Sequence, residues 1–121
     1  MKVLLAEDEP VILAALKLRL KKEGYEIITA EDGQDAIQKI ADHSPDVIVT
    51  DMMMPFNSGI EVLSAAKRLN KNTKVIVLSG MGQESIVIEA FQLGADDYMV
   101  KPFSPDELAL RINRLIAVEA Y

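Results

Sequence analysis

Five short apolar runs, each followed by a longer segment with helical spacing, constrain the fold of this chain more than any other feature. The runs are Val3–Ala6, Tyr25–Ala30, Val47–Thr50, Val75–Leu78 and Tyr98–Val100. Continuous apolarity, without alternation, marks strands buried on both faces of a parallel sheet. Between and after them lie Pro10–Glu23, Gly33–Asp42, Ser58–Leu69, Gln83–Leu93 and Ser104–Val118, with apolar residues at helical intervals. In the first of these, Leu13, Leu16 and Leu20 fall on one side. Ser104, Pro105 and Glu107 predict a sharp helix start as N-cap, N1 and the N3 member of a capping box. Gly24 and Gly94 follow the first and fourth helical segments, where a left-handed residue is wanted. Five strand–helix pairs with short connections predict one doubly wound α/β domain, a parallel sheet with helices on both faces.

Composition narrows the function. The 121 residues are half hydrophobic, enough for a real core, and nineteen acidic against thirteen basic residues leave a formal charge of −6. That sign argues against direct binding of nucleic acid or an anionic membrane. The absence of Cys removes disulfide scaffolds, zinc fingers and thiol catalysis. The opening MKVLLAEDEP turns acidic too soon for a signal peptide, and no apolar run approaches the ~20 residues of a membrane span. The expectation is a soluble cytoplasmic domain over residues 1–121, with no output domain in the chain.

In open α/β sheets, ligands collect at the carboxyl ends of the strands. Glu7 and Asp8 follow the first strand, and Asp51 follows the third. Ser79 and Gly80 follow the fourth, and Lys101 and Pro102 the fifth. Asp51 stands between the apolar run Val47–Val49 and the methionines Met52, Met53 and Met54. Such a carboxylate repels two neighbouring acids unless a cation intervenes. Oxygen-only ligands suit Mg²⁺, which would screen an incoming phosphoryl group from the acids. Lys101 and the Ser79 hydroxyl could then hold phosphoryl oxygens while Asp51 attacks phosphorus.

Taken together, these segments resemble the receiver domain of two-component response regulators, and the resemblance runs through the whole chain. Glu7–Asp8 is similar to the family's metal-binding acidic pair. Asp51-Met-Met-Met-Pro55 with Gly59 is similar to its phosphoacceptor segment, Ser79-Gly80 to its hydroxyl switch, and Lys101-Pro102-Phe103 to its lysine–proline signature. Tyr98 falls at the aromatic switch position. The resemblance implies a flavodoxin-like sheet of strand order 2-1-3-4-5. It implies phosphorylation of Asp51 by the phosphohistidine of a sensor kinase or phosphotransfer protein, with Mg²⁺ as cofactor. Asp8, Asp51 and the Met53 carbonyl would be direct ligands, with Glu7 acting through water, and Lys101–Pro102 would be cis. Such a domain is a switch and not a turnover enzyme. Methionine at Met53 and Met81, where the family tunes hydrolysis, implies slow self-dephosphorylation.

The same resemblance suggests an output face on the fourth helix, fifth strand and fifth helix. Ile88, Phe91 and Leu110 are similar to the family's dimerisation patch, and Asp97, Glu107 and Arg111 to part of its surrounding ion-pair ring. Val87 and Val118 stand where basic residues would close the ring, so a homodimer there is possible without being specified. On the fifth helix, Leu108, Ile112 and Leu115 should face the core while Leu110 faces water.

Competing readings are a pseudo-receiver that only binds partners and an Mg²⁺-dependent aspartyl-phosphate phosphohydrolase. Every chemical position here is competent, which argues against the first. Met53 stands where the second usually has another acid. A flavin site fits less well, since the acidic loop Ala6–Pro10 would repel phosphate. His43, the only histidine, reads as a solvated residue at a helix C-terminus. The three methionines after Asp51 read as gap-fillers, and the Lys21–Lys22 and Lys71–Lys74 clusters as solvated surface.

Overall fold

The computed structural model describes the backbone of residues 1–119 and the side chains through Ala117. Five strands and five helices alternate: β1 Lys2–Ala6, α1 Pro10–Lys22, β2 Glu26–Ala30, α2 Gly33–His43, β3 Val47–Asp51, α3 Gly59–Leu69, β4 Lys74–Ser79, α4 Glu84–Gln92, β5 Asp97–Val100 and α5 Pro105–Glu119. One parallel sheet runs in the order β2-β1-β3-β4-β5, as the resemblance implies. Each expected element is present, and boundaries differ by a residue or two.

Alternate residues of the strands feed two cores. Val3, Leu5, Val47, Val49, Ile76 and Leu78 face α1 and α5, where they meet Leu13, Leu16, Leu20, Leu108 and Ile112. Leu4, Ala6, Ile48, Val75 and Val77 face α2, α3 and α4, meeting Ala36, Ile40, Val62, Leu63 and Ala90. On α5 the expected arc holds: Leu108 and Ile112 are buried, Leu115 packs half-buried beside them and Leu110 is exposed. Among the described residues no helix is long and apolar enough to cross a membrane.

Local expectations need three corrections. The second and fifth runs are not buried throughout, because β2 and β5 are the sheet's edges. Only Ala30 of β2 and Met99 of β5 are buried. Tyr25 lies before β2, and its hydroxyl donates to Asn113 Oδ1 of α5. At the start of α5, Ser104 Oγ accepts from the Glu107 N–H at 3.1 Å, but the Glu107 carboxylate pairs with Arg111 at 3.3 Å. The reciprocal bond forms instead at α3, where the Ser58 N–H donates to Glu61 Oε1 at 3.1 Å.

Candidate functional site

All five strands run the same way, so their carboxyl ends share one edge of the sheet, and four chemically active side chains meet there. Glu7 extends the β1–β2 ladder by donating its N–H to Ala30 O at 3.1 Å, which carries its side chain inward until it is 1% exposed. Asp8, one residue on, is exposed. Asp51 ends β3 and is 5% exposed. Its Oδ1 accepts from the Met53 N–H at 3.1 Å, and its Oδ2 accepts from Lys101 Nζ at 2.6 Å. Lys101 is held by its own N–H, which donates to Ser79 O at 2.7 Å, ahead of a cis bond to Pro102.

Lys101 Nζ also lies 2.9 Å from Glu7 Oε1, but off the hydrogen-bonding angle. Oε1 is therefore buried without a hydrogen-bond partner among the described residues. Burial, together with the neighbouring Asp51 charge, pushes the Glu7 carboxyl up to about 7, against the lowering effect of Lys101. Burial pulls the Lys101 ammonium down, but its contacts with Asp51 and Glu7 outweigh that and leave it raised.

Oxygens of Glu7, Asp8 and Asp51 all lie within 4.8 Å of one another. Three carboxylates, one with an orphaned buried oxygen, form a hard oxygen donor set that fits a small divalent cation such as Mg²⁺.

Other expected site residues lie further out. Ser79 is buried at the end of β4, and its hydroxyl donates to Met99 O at a long 3.5 Å, with no hydrogen bond to Asp51 among the described residues. Tyr98 points outward, 41% exposed, with its ring edge-to-face against Phe91 at 5.8 Å. Between Tyr98, Ser79, Val87 and the loop after β4 lies an open cleft of about 400 Å³. Ile88 and Phe91 are exposed with Leu110. The three charged residues expected around them pair within the chain: Arg111 holds Asp97 at 2.9 and 3.0 Å and Glu107 at 3.3 Å. Val87 is half-buried, and the Val118 side chain lies outside the described residues. Of the three methionines, Met52 is buried and Met54 packs on the core, whereas Met53 is exposed and fills no gap. His43 is exposed in the last turn of α2, as expected.

The burial of Glu7 beside an exposed Asp8 is not evident from the sequence. Neither are two close glycine contacts. A Cβ at Gly59 would stand 2.5 Å from Asp51 O, and one at Gly33 would stand 1.8 Å from Asn57 O.

Residues 3–113 match the family model of the response regulator receiver domain. Among similar proteins, the chemotaxis protein CheY of Bacillus subtilis is 37% identical over 116 residues, covering 95% of this chain and 97% of that protein. The transcriptional regulatory protein ResD of Bacillus subtilis is 41% identical over 115 residues, covering 95% of this chain but 48% of that protein. The chain thus spans about half the length of several of its relatives. Among solved structures, the receiver domain of the Francisella response regulator 1452 has a TM-score of 0.85 at 41% identity, covering 94% of each chain. A receiver domain protein from Clostridium thermocellum has a TM-score of 0.90 at 33% identity, covering 98% of this chain and 96% of that one.

Proposed function

The chain belongs to the response regulator receiver domain family, and from that premise we propose that it is a phosphorylation-activated signalling switch with Asp51 as its phosphoacceptor. The observation that carries this reading is the nearly buried Asp51 carboxylate at a strand end, paired with Lys101 and clustered with Glu7 and Asp8. A carboxylate so held is oriented for attack without being consumed by its partner.

In the transfer, an Asp51 oxygen forms a bond to phosphorus as the P–N bond of a phosphohistidine breaks. The departing imidazole nitrogen takes up a proton. Asp8, Asp51, the Met53 carbonyl and, through water, Glu7 would hold Mg²⁺, whose charge screens the acids from the incoming phosphoryl group. Lys101 stays within reach of the phosphoryl oxygens. The Ser79 hydroxyl, weakly held by Met99 O, turns to a phosphoryl oxygen, and Tyr98 swings into the cleft beside it. The α4–β5–α5 face then changes shape and relays the signal to a partner or to an output domain. Phosphorylation would select one of two arrangements already accessible. On this reading the domain works in the cytoplasm and takes its phosphoryl group from a sensor kinase or phosphotransfer protein.

Acetyl phosphate with Mg²⁺, read by intact mass, tests this. The wild type should gain one phosphoryl group and Asp51→Asn none. No gain in the wild type would favour a phosphorylation-independent interaction module. Label on the Asn variant at the wild-type rate would refute the assignment of Asp51.

A further inference from the structure

We infer that Gly33, on α2 and remote from Asp51 in sequence, is a positioning residue for the loop that carries the phosphoacceptor; the inference rests on the phosphoacceptor reading above. The chain from Met52 to Ser58 leaves Asp51 and returns to start α3. It passes through two successive non-glycine residues of positive φ, Phe56 at 53° and Asn57 at 74°. Asn tolerates such a conformation, but an aromatic residue such as Phe56 holds it only where its surroundings impose it. Here those surroundings are the first turn of α2. The Gly33 N–H donates to Pro55 O at 3.2 Å. A Cβ on Gly33 would stand 1.8 Å from Asn57 O and 2.5 Å from Phe56 O. At the loop's other end, the Gly59 N–H donates to Met52 O at 3.1 Å, and a Cβ there would meet Asp51 O at 2.5 Å. Two glycines thus clamp the loop, one against the backbone of the acid and the other against α2.

With a methyl group at residue 33, either α2 or the loop must give way, and the loop is the weaker side. Ala36 and Ile40 bury α2 in the core. Asp32 caps it by accepting from the Asp35 N–H at 2.7 Å, and Lys39 Nζ ties it to Thr29 O at 2.6 Å. Met53 and Phe56 of the loop are exposed, with open space outward. Real Cβ contacts do not fall below 3.0 Å, so the loop must withdraw by more than about 1 Å. Misplacement on that scale can lower a rate by on the order of 100-fold. Met53 is carried along, with the N–H that reaches Asp51 Oδ1.

The test compares wild type, Gly33→Ala and Gly24→Ala. Gly24 has a φ of 91° and open space around an added Cβ, and it lies at the opposite end of the sheet. Alanine there strains the backbone without touching the loop. Two readouts are taken: the rate of labelling by acetyl phosphate at saturating Mg²⁺, and amide exchange of Met53 and Gly59 in metal-free protein by NMR. Gly33→Ala should label ten- to a hundredfold more slowly and lose protection at both amides. Gly24→Ala should melt lower yet label at the wild-type rate. Wild-type labelling or unchanged amides in Gly33→Ala would overturn the inference, as would equal slowing in Gly24→Ala. Should Gly33→Ala fail to fold, Asn57→Val opposes the positive φ from the loop's side and should give both signatures; wild-type behaviour there overturns the inference equally. A wild type that takes no label defeats the phosphoacceptor reading instead, and the amide comparison still decides whether the clamp exists.

Discussion

Lys101 Nζ stands 2.6 Å from Asp51 Oδ2 and 2.9 Å from Glu7 Oε1, reaching from the end of β5 across β4 to the ends of β3 and β1. Three carboxylates can therefore share one edge without collapse. The repulsion expected among them does call for a cation, and part of that positive charge is supplied by the chain itself. An ammonium in that position competes with a metal for the same oxygens.

That competition predicts the behaviour of Lys101→Met. The metal-free variant should melt below wild type, because two acids lose their neutralising partner. The rise in melting temperature on adding Mg²⁺ should be larger than in wild type, since the ion no longer displaces a lysine. Melting curves with EDTA and with Mg²⁺ check both. A smaller Mg²⁺ effect in the variant would show that Lys101 assists metal binding and does not compete with it.

Asp8 is the cleanest probe of the metal itself. It is exposed, so Asp8→Asn should hardly change the metal-free melting temperature. Wild type at tenfold the dissociation constant should gain ~1.4 kcal/mol from a ligand bound only to the folded state. The Asn variant should lose most of that gain. Calorimetry with and without Mg²⁺ measures it, and an equal gain in both proteins would remove Asp8 from the site.

Glu7 links stability to pH. Its carboxyl is raised from an ordinary 4.5 to about 7 by burial and by Asp51, so between those values the folded state holds a proton that the unfolded state has lost. Metal-free stability from this group is greatest below 4.5, falls as pH rises, and is spent above about 7. Glu7→Gln is neutral throughout. It should melt about ten degrees or more above wild type at pH 8 in EDTA, a difference of roughly 3 kcal/mol, and the gap should close toward pH 4.5. A gap independent of pH would mean that Glu7 is ionised in the folded state across the range.

The fold was legible because its main signal is topological. Continuous apolar runs separated by helical segments admit few arrangements besides a parallel sheet, and such a sheet gathers Glu7, Asp8, Asp51, Ser79 and Lys101 at one edge. Edge strands defeated the same reasoning. Ile27 and Ile28 look as apolar as Ile48 and Val49, and only the sheet order decides which are covered on both faces. Glu7 and Asp8 are equivalent in sequence, and one ladder bond to Ala30 O buries the first and not the second. The crowding at Gly33 and the closure of Arg111 on Asp97 are contacts through space, with no local sequence pattern to announce them.

Met53, whose N–H reaches Asp51 Oδ1, and Met81, which lines the cleft beside Ser79, are both exposed, so polar residues there should be tolerated by the fold. Neither thioether orients an attacking water well. Met53→Asn and Met81→Glu should each speed loss of the phosphoryl group from Asp51 severalfold without lowering the melting temperature. Intact mass followed over time decides, and a variant that holds its label as long as wild type would show that the methionines do not set the lifetime.

The last prediction concerns the face formed by α4, β5 and α5. The exposed apolar residues expected there are Ile88, Phe91 and Leu110, the last 70% exposed, with Tyr98 edge-to-face on Phe91. The ions expected beside them are already spent: Arg111 binds both oxygens of Asp97 and also meets Tyr98 O at 3.2 Å and Glu107. A second copy docking here gains apolar burial, while Asp97, Glu107 or Arg111 could pair across the interface only by breaking a pair within the chain. Association should therefore depend on phosphorylation, be weak, and respond little to salt. Phe91→Asp should abolish it, because a charge would enter the centre of the patch. Arg111→Ala should weaken it only slightly. Light scattering with a phosphoryl mimic, at low and high salt, reads all three. A dimer unaffected by Phe91→Asp would place the output on another face, and one that dissolves in salt would show that the pairs on Arg111 exchange across the interface.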